Sequence, residues 1–195
     1  MKRFAAAVAM TLAASGARAE GIDINLSDQA LRAAYAGSLT DLFPRVGGQW
    51  DAGVLLGEEE QRNFTGVHAG MLVTGDAGAA RANVVAGLGG RLAFVLTDAP
   101  TAGDVNGGAL ALGGSIDARL PAFNRLGFIA YVYGAPNASS FGDLEGYLEY
   151  AGGIDYQVLQ AASLYLGYRQ LKIDVKDVGN FTVDNGWHLG LRLSF

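Results

Sequence analysis

Residues 84–96 alternate without a break: Val84, Ala86, Leu88, Gly90, Leu92, Phe94 and Leu96 on one side, Gly87, Gly89 and Arg91 on the other. Period two is the mark of an extended strand, whose successive side chains leave opposite faces. The rhythm returns at 46–56, where Val46, Gly48, Trp50, Ala52, Val54 and Leu56 oppose Gln49, Asp51 and Gly53, and again at 110–120, 126–132 and 144–158, the last with Leu144, Leu148 and Ile154 on its apolar, lipid side. The last ten residues, GWHLGLRLSF, set Trp187, Leu189, Leu191, Leu193 and Phe195 against Gly186, His188, Gly190, Arg192 and Ser194. Weaker strands are expected at 31–39, 65–73 and 164–175. In the last of these Leu164, Leu166 and Tyr168 keep step, then Leu171, Ile173 and Val175 fall one residue off. A bulge near Arg169-Gln170 produces such a shift, and so does a strand that has left lipid.

The face opposite the apolar one decides the class. Half of the chain is hydrophobic, only 17 % is charged, and 29 of 195 residues are glycine. A secreted soluble barrel or sandwich also alternates, but its water-facing side should be richly charged. Here that side is mostly glycine and alanine with one or two charges per strand, which suits a narrow lumen. Beyond residue 19 no apolar run approaches the roughly 20 residues that a membrane helix needs. An all-β transmembrane barrel is the remaining way to satisfy every backbone N–H and C=O in lipid.

Residues 1–19, MKRFAAAVAMTLAASGARA, combine Lys2 and Arg3 with a short apolar stretch and an Ala17-Arg18-Ala19 site. They read as a secretory signal peptide, leaving residues 20–195 as one barrel domain. Its 11 basic and 19 acidic residues give a net charge of −8, which argues against nucleic acid as a partner. With no cysteine, neither disulfides nor thiolate metal sites are available.

Bacterial barrels close with an even strand number, short turns at one rim and longer loops at the other. With the last strand running toward the periplasm, 159–161, 120–124, 74–82 and 40–45 become periplasmic turns. The stretches 178–181, 134–143, 97–106 and 57–63 become external, and 134–143 reads as a mobile loop. Nine strands are then assigned. An upward strand at 22–26, turning at Ser27-Asp28-Gln29, completes ten, with eight as the alternative.

The C-terminal half also carries a likeness. YVYGAP (131–136), the EY, AGG and DY pieces between Glu149 and Tyr156, SLYLGYRQL (163–171), Lys176-Asp177 and the closing GWHLGLRLSF together resemble the YfaZ family of Gram-negative outer-membrane proteins. The resemblance covers residues 120–195 well and is looser before them. It implies an outer-membrane barrel of undetermined activity and brings no catalytic residues.

Projecting the strands inward places Arg32, Asp51, His68, Arg91, Asp117, Arg119, Arg125, Glu145, Glu149, Asp155, Arg169, His188 and Arg192 in the lumen, with Tyr131, Tyr133, Tyr147 and Tyr165. Two readings share these groups. Acids and bases in comparable numbers can pair and hold a crowded interior shut, or they can line a constriction for a small solute. A lipid-modifying enzyme is a weaker reading. It would need His68 or His188 beside a serine such as Ser115, Ser163 or Ser194, and His188 sits too near the periplasmic end. Neither the acidic run Glu58-Glu59-Glu60 nor the glycines at 151–153 form a specific metal or phosphate motif, and no cofactor is expected. Trp50, Tyr156, Trp187 and Phe195 are expected as aromatic anchors at the membrane interfaces. The expected partners are outer-membrane lipid and lipopolysaccharide, and the barrel-assembly machinery through the strand ending in Phe195.

Overall fold

A computed structural model describes residues 20–59, 62–78, 83–97 and 105–195. The expected signal peptide lies outside the described residues, as do most of the loop at 97–106 and part of the turn at 74–82. The strands are β1(Gly21–Ser27), β2(Ala30–Ser38), β3(Gly48–Glu59), β4(Arg62–Asp76), β5(Asn83–Thr97), β6(Val105–Arg119), β7(Leu126–Ala135), β8(Ser140–Gly142), β9(Leu144–Leu159), β10(Ala162–Val175) and β11(Gly179–Ser194). Ten of them pair antiparallel around a ring, each with its neighbours in sequence. The ring closes where β1 meets β11, from Gly21 opposite Ser194 to Ser27 opposite His188. Glu20 and Phe195 extend that seam with reciprocal backbone bonds of 3.1 and 3.0 Å. The fold is therefore the expected ten-strand, up-and-down barrel with no free edge, the condition lipid imposes.

The rim carrying both ends of the ring, called here the terminal rim, has short connections. One is a helical turn, Leu39–Leu42, capped by the Ser38 hydroxyl; another is the two-residue link between β9 and β10. The opposite rim, the loop rim, is taller. There β10 and β11 join through a tight turn in which Asp177 and Gly179 take φ of +62° and +88°, a conformation that Asp and Gly accept most readily. The stretch 134–143, expected to be mobile, is folded back. It makes a 3₁₀ turn, Asn137–Ser139, and then β8, which pairs with Gly107–Ala109 of β6 where β7 has already ended.

An apolar band wraps the outside. Leu88, Leu112, Ile116, Leu164, Leu166, Leu189 and Leu191 stand exposed on it. Near the terminal rim it is edged by Trp50, whose ring lies 5.5 Å from that of Tyr35, and by Tyr156, Phe123 and Phe195. Gly37 makes the first of these contacts possible, since a Cβ there would come within 2.8 Å of the Trp50 ring. On the other side Trp187 packs edge-on against Tyr168 at 5.8 Å. The Tyr168 and Tyr150 hydroxyls bond Asn185 and Gln170. The nine residues from Trp187 to Phe195, tilted by about 40°, span about 20 Å along the barrel axis, close to the thickness of the hydrocarbon band.

Above that aromatic edge the barrel turns inside out. On β10 the outward residues become Gln170 and Lys172, while Leu171, Ile173 and Val175 point inward at 3 %, 1 % and 4 % exposure. The strand never changes phase, because β9 and β10 pair without interruption from Ser163 to Asp174. The expected bulge is absent from β10 itself; the neighbouring register skips Val183 on β11 instead. What changes is the environment: outside the lipid the outer wall meets water and the interior becomes the favourable place for apolar side chains. With Leu55, Phe64, Val95, Val105, Leu144 and Val183 these residues form one buried cluster that fills the loop end of the lumen. Leu144 was expected on the lipid face. A second bulge, at Glu145, turns it into this cluster.

Ile173→Ala should destabilise the barrel by about 2–4 kcal/mol through the cavity it leaves. Lys172→Ala next to it should change stability by less than about 0.5 kcal/mol. Urea unfolding in detergent micelles, followed by tryptophan fluorescence, compares the two.

Candidate functional site in the lumen

Below the apolar plug the inward positions are polar, and four neighbouring groups of side chains divide the space. Arg91 of β5 reaches across the barrel. Its Nη1 donates to Glu149 Oε2 at 2.9 Å and its Nη2 to Asp51 Oδ2 at 3.1 Å, and its guanidinium lies 4.0 Å from the centre of the Tyr133 ring. Glu149 also accepts from the hydroxyls of Tyr131 at 2.8 Å and Tyr147 at 2.5 Å. His68 Nε2 stands 2.9 Å from Asp51 Oδ2 and 3.2 Å from Arg32 Nη2.

A second group crosses the β1–β11 seam. Arg169 pairs with Asp184 and donates through Nη1 to Asn25 Oδ1 at 2.9 Å. Asn25 donates in turn to the Tyr165 hydroxyl at 2.8 Å, which donates to Asp23 Oδ1 at 2.5 Å. Arg192 Nε closes the chain on Asp23 Oδ2 at 3.3 Å. Nearer the terminal rim, Arg119 Nη2 holds Asp155 Oδ2 at 2.7 Å, with Asp117 3.9 Å from Arg119 Nε. His188 forms the fourth group, edge-on to Tyr165 at 5.7 Å.

Glycine makes room for these long side chains. A Cβ on Gly53 would stand 2.6 Å from the His68 ring, on Gly70 2.8 Å from Asp51 Oδ1 and on Gly167 2.7 Å from His188 Nε2. Gly127 and Gly190 are approached still more closely by Asp155 and the Tyr165 ring. Each bulky side chain thus lies across a glycine of the adjacent strand, so a ten-strand ring can hold this many charges paired rather than solvated.

Of the residues expected in the lumen, Arg32, Asp51, His68, Arg91, Glu149, Asp155, Arg169, His188 and the four tyrosines are largely buried there, and Asp117, Arg119 and Arg192 sit nearer its terminal mouth. Two expectations are corrected. Arg125 is exposed in the turn before β7, because the 3₁₀ turn Pro121–Phe123 precedes it and the strand begins only at Leu126. Glu145 sits on the bulge that reverses Leu144, and among the described residues no ion pair reaches it. Asp23, Asn25 and Asp184 were not anticipated. The first two alternate with Ile22, Ile24 and Leu26, and Asp184 keeps step with Gly186 and His188 before the Val183 bulge is reached, so all three were legible in principle.

Under the plug a cavity of about 410 Å³ remains, walled by Asn25, Arg32, Tyr131, Arg169, His188 and Arg192 among others. It reaches residues of the terminal rim such as Gln49, Thr74, Val85 and Ser194. Among the described residues neither histidine bonds a serine hydroxyl.

This closed ring, apolar outside and charge-lined inside, defines a transmembrane β-barrel. The sequence model of the YfaZ precursor family matches residues 1–195, and the chain belongs to that family. No match is found among curated proteins. Among solved structures, the outer membrane channel DcaP of Acinetobacter baumannii is similar at 14 % identity and a TM-score of 0.37, over 89 % of this chain. The chain spans 54 % of the length of DcaP. A structure from work on the mechanism of in-meso crystallization of membrane proteins is similar at 10 % identity and a TM-score of 0.39, over 91 % of this chain and 83 % of its own.

Gly190→Ala should push against the Tyr165 ring and cost about 1–3 kcal/mol. Combined with Tyr165→Ala, it should cost at least about 1 kcal/mol less than the sum of the two single changes. Equilibrium unfolding of the four proteins measures that coupling.

Proposed function

We propose that this protein is an outer-membrane barrel of a Gram-negative bacterium, exported with residues 1–19 as its signal peptide and serving as a structural barrel with a shut lumen. The terminal rim faces the periplasm and the taller loop rim faces outward. Lipid and lipopolysaccharide are its surroundings, and the strand ending in Phe195 is what the assembly machinery engages. Membership of the YfaZ precursor family supports the location, as does an outer wall whose exposed residues form an apolar band edged by aromatics.

One observation carries the closed reading: Leu171, Ile173 and Val175 fill the loop end of the lumen with Leu55, Phe64 and Val95. Hydrated ions do not pass an apolar plug, and below it the Arg91, Arg169, Arg119 and Arg192 guanidinium groups are each held by a carboxylate. The cavity under the plug favours a second reading, a small-solute pore that opens when the plug moves. Nothing in the geometry favours a lipid-modifying enzyme, since both histidines are in the lumen, away from the lipid face.

Purified protein in a planar bilayer should show no conductance steps under conditions where a control porin opens. Replacing Leu171, Ile173 and Val175 together by glycine should produce them. Steps from the unaltered protein would favour the pore.

A further inference from the structure

The cavity wall holds one arginine that the ion pairs leave out. Arg32 is 9 % exposed, and among the described residues no carboxylate lies within hydrogen-bond distance of it. Its one polar neighbour is His68 Nε2 at 3.2 Å, and that nitrogen also faces Asp51 at 2.9 Å. One ring nitrogen cannot both donate to Asp51 and accept from Arg32, so at most one of the five guanidinium N–H groups has a side-chain partner among the described residues. The nearby carboxylates are committed elsewhere: Glu149 to Arg91, Tyr131 and Tyr147, and Asp51 to Arg91 and His68.

Two more nitrogen-bearing side chains, Arg169 and His188, stand on the same wall. Arg32 is opposite Asn25 across the β1–β2 ladder, and Asn25 accepts from Nη1 of Arg169. His188 is opposite Ser27 on β11. All three residues line the cavity, which falls within the roughly 300–1,000 Å³ of ordinary ligand pockets. Three carboxylates also line it: Asp51 and Asp23, held by Arg91 and Arg192, and Asp117, 3.9 Å from Arg119 Nε.

From this we infer that the cavity is a binding site for the carboxylate group of a small solute entering from the terminal rim, with Arg32 as its main anchor. A planar guanidinium with free N–H groups matches a carboxylate bidentately. A phosphate dianion would bring a second charge among carboxylates already in place. The site rests on the occluded lumen proposed above, but its readout is binding, which does not depend on whether the bilayer stays silent.

The test uses the full barrel refolded in micelles, its His68 and His188 ring signals followed by NMR at constant ionic strength. Acetate should shift the His188 signals saturably, acetamide should not, and inorganic phosphate should bind at least about tenfold more weakly, a difference equal to one lost charge-assisted bond. Arg32→Gln should weaken acetate binding at least about tenfold, and Arg32→Lys should weaken it less, keeping the charge without the fork. Lys172→Gln, on the outer wall, should change nothing. Heat-dependent gel mobility confirms that each variant is folded, and the lysine variant carries the test if the glutamine variant does not fold. Equal response to acetate and acetamide, or acetate binding untouched in either Arg32 variant, overturns the site. Tighter binding of phosphate than of acetate overturns its assignment to a carboxylate.

Discussion

The β1–β11 seam is what everything else depends on. In hydrocarbon an unpaired backbone N–H or C=O costs several kcal/mol, so a sheet that crosses lipid has to close on itself. Here the closure is made by two strands from opposite ends of the ring, paired from Gly21 and Ser194 up to Ser27 and His188. The same seam brings Asp23 and Asn25 against Tyr165, Arg169 and Arg192. Backbone closure therefore brings the lumen's hydrogen-bond chain together.

Two polarity patterns then share one ladder. Within the lipid band the wall is apolar outside and polar inside; above it the wall is polar outside and apolar inside. The transition takes two residues on β10, between Arg169 and Leu171, without a break in pairing to β9. A barrel built this way is a membrane protein at one end and resembles a small water-soluble barrel at the other, with its hydrophobic core acting as the stopper. The charge network sits just beneath that core, where burial makes leaving any carboxylate unpaired expensive.

How legible this was in the sequence follows from the same physics. Strands such as β5 stood out because lipid on one face and glycine sockets on the other enforce a strict alternation. β10 looked out of phase because the pattern tracks environment, and the environment changed while the backbone did not. Leu144 and Phe181 were unreadable, since the bulges at Glu145 and Val183 reverse which way the residues before them face and carry no pattern of their own. Among the lumen charges the facing was legible for all but Arg125 and Glu145, but the partner of each was not. Which acid meets Arg91, and that Arg32 meets none, depends on barrel closure and stagger.

The chain has no native cysteine, so a single introduced thiol reports its own surroundings. Ser115 lines the cavity and Ile173 lies in the plug. With the barrel folded in vesicles, Ser115→Cys should react with a membrane-impermeant maleimide supplied at the terminal rim, while Ile173→Cys should stay unlabelled from both sides. Labelling of Ile173→Cys as fast as Ser115→Cys would show a lumen open from end to end and contradict the account.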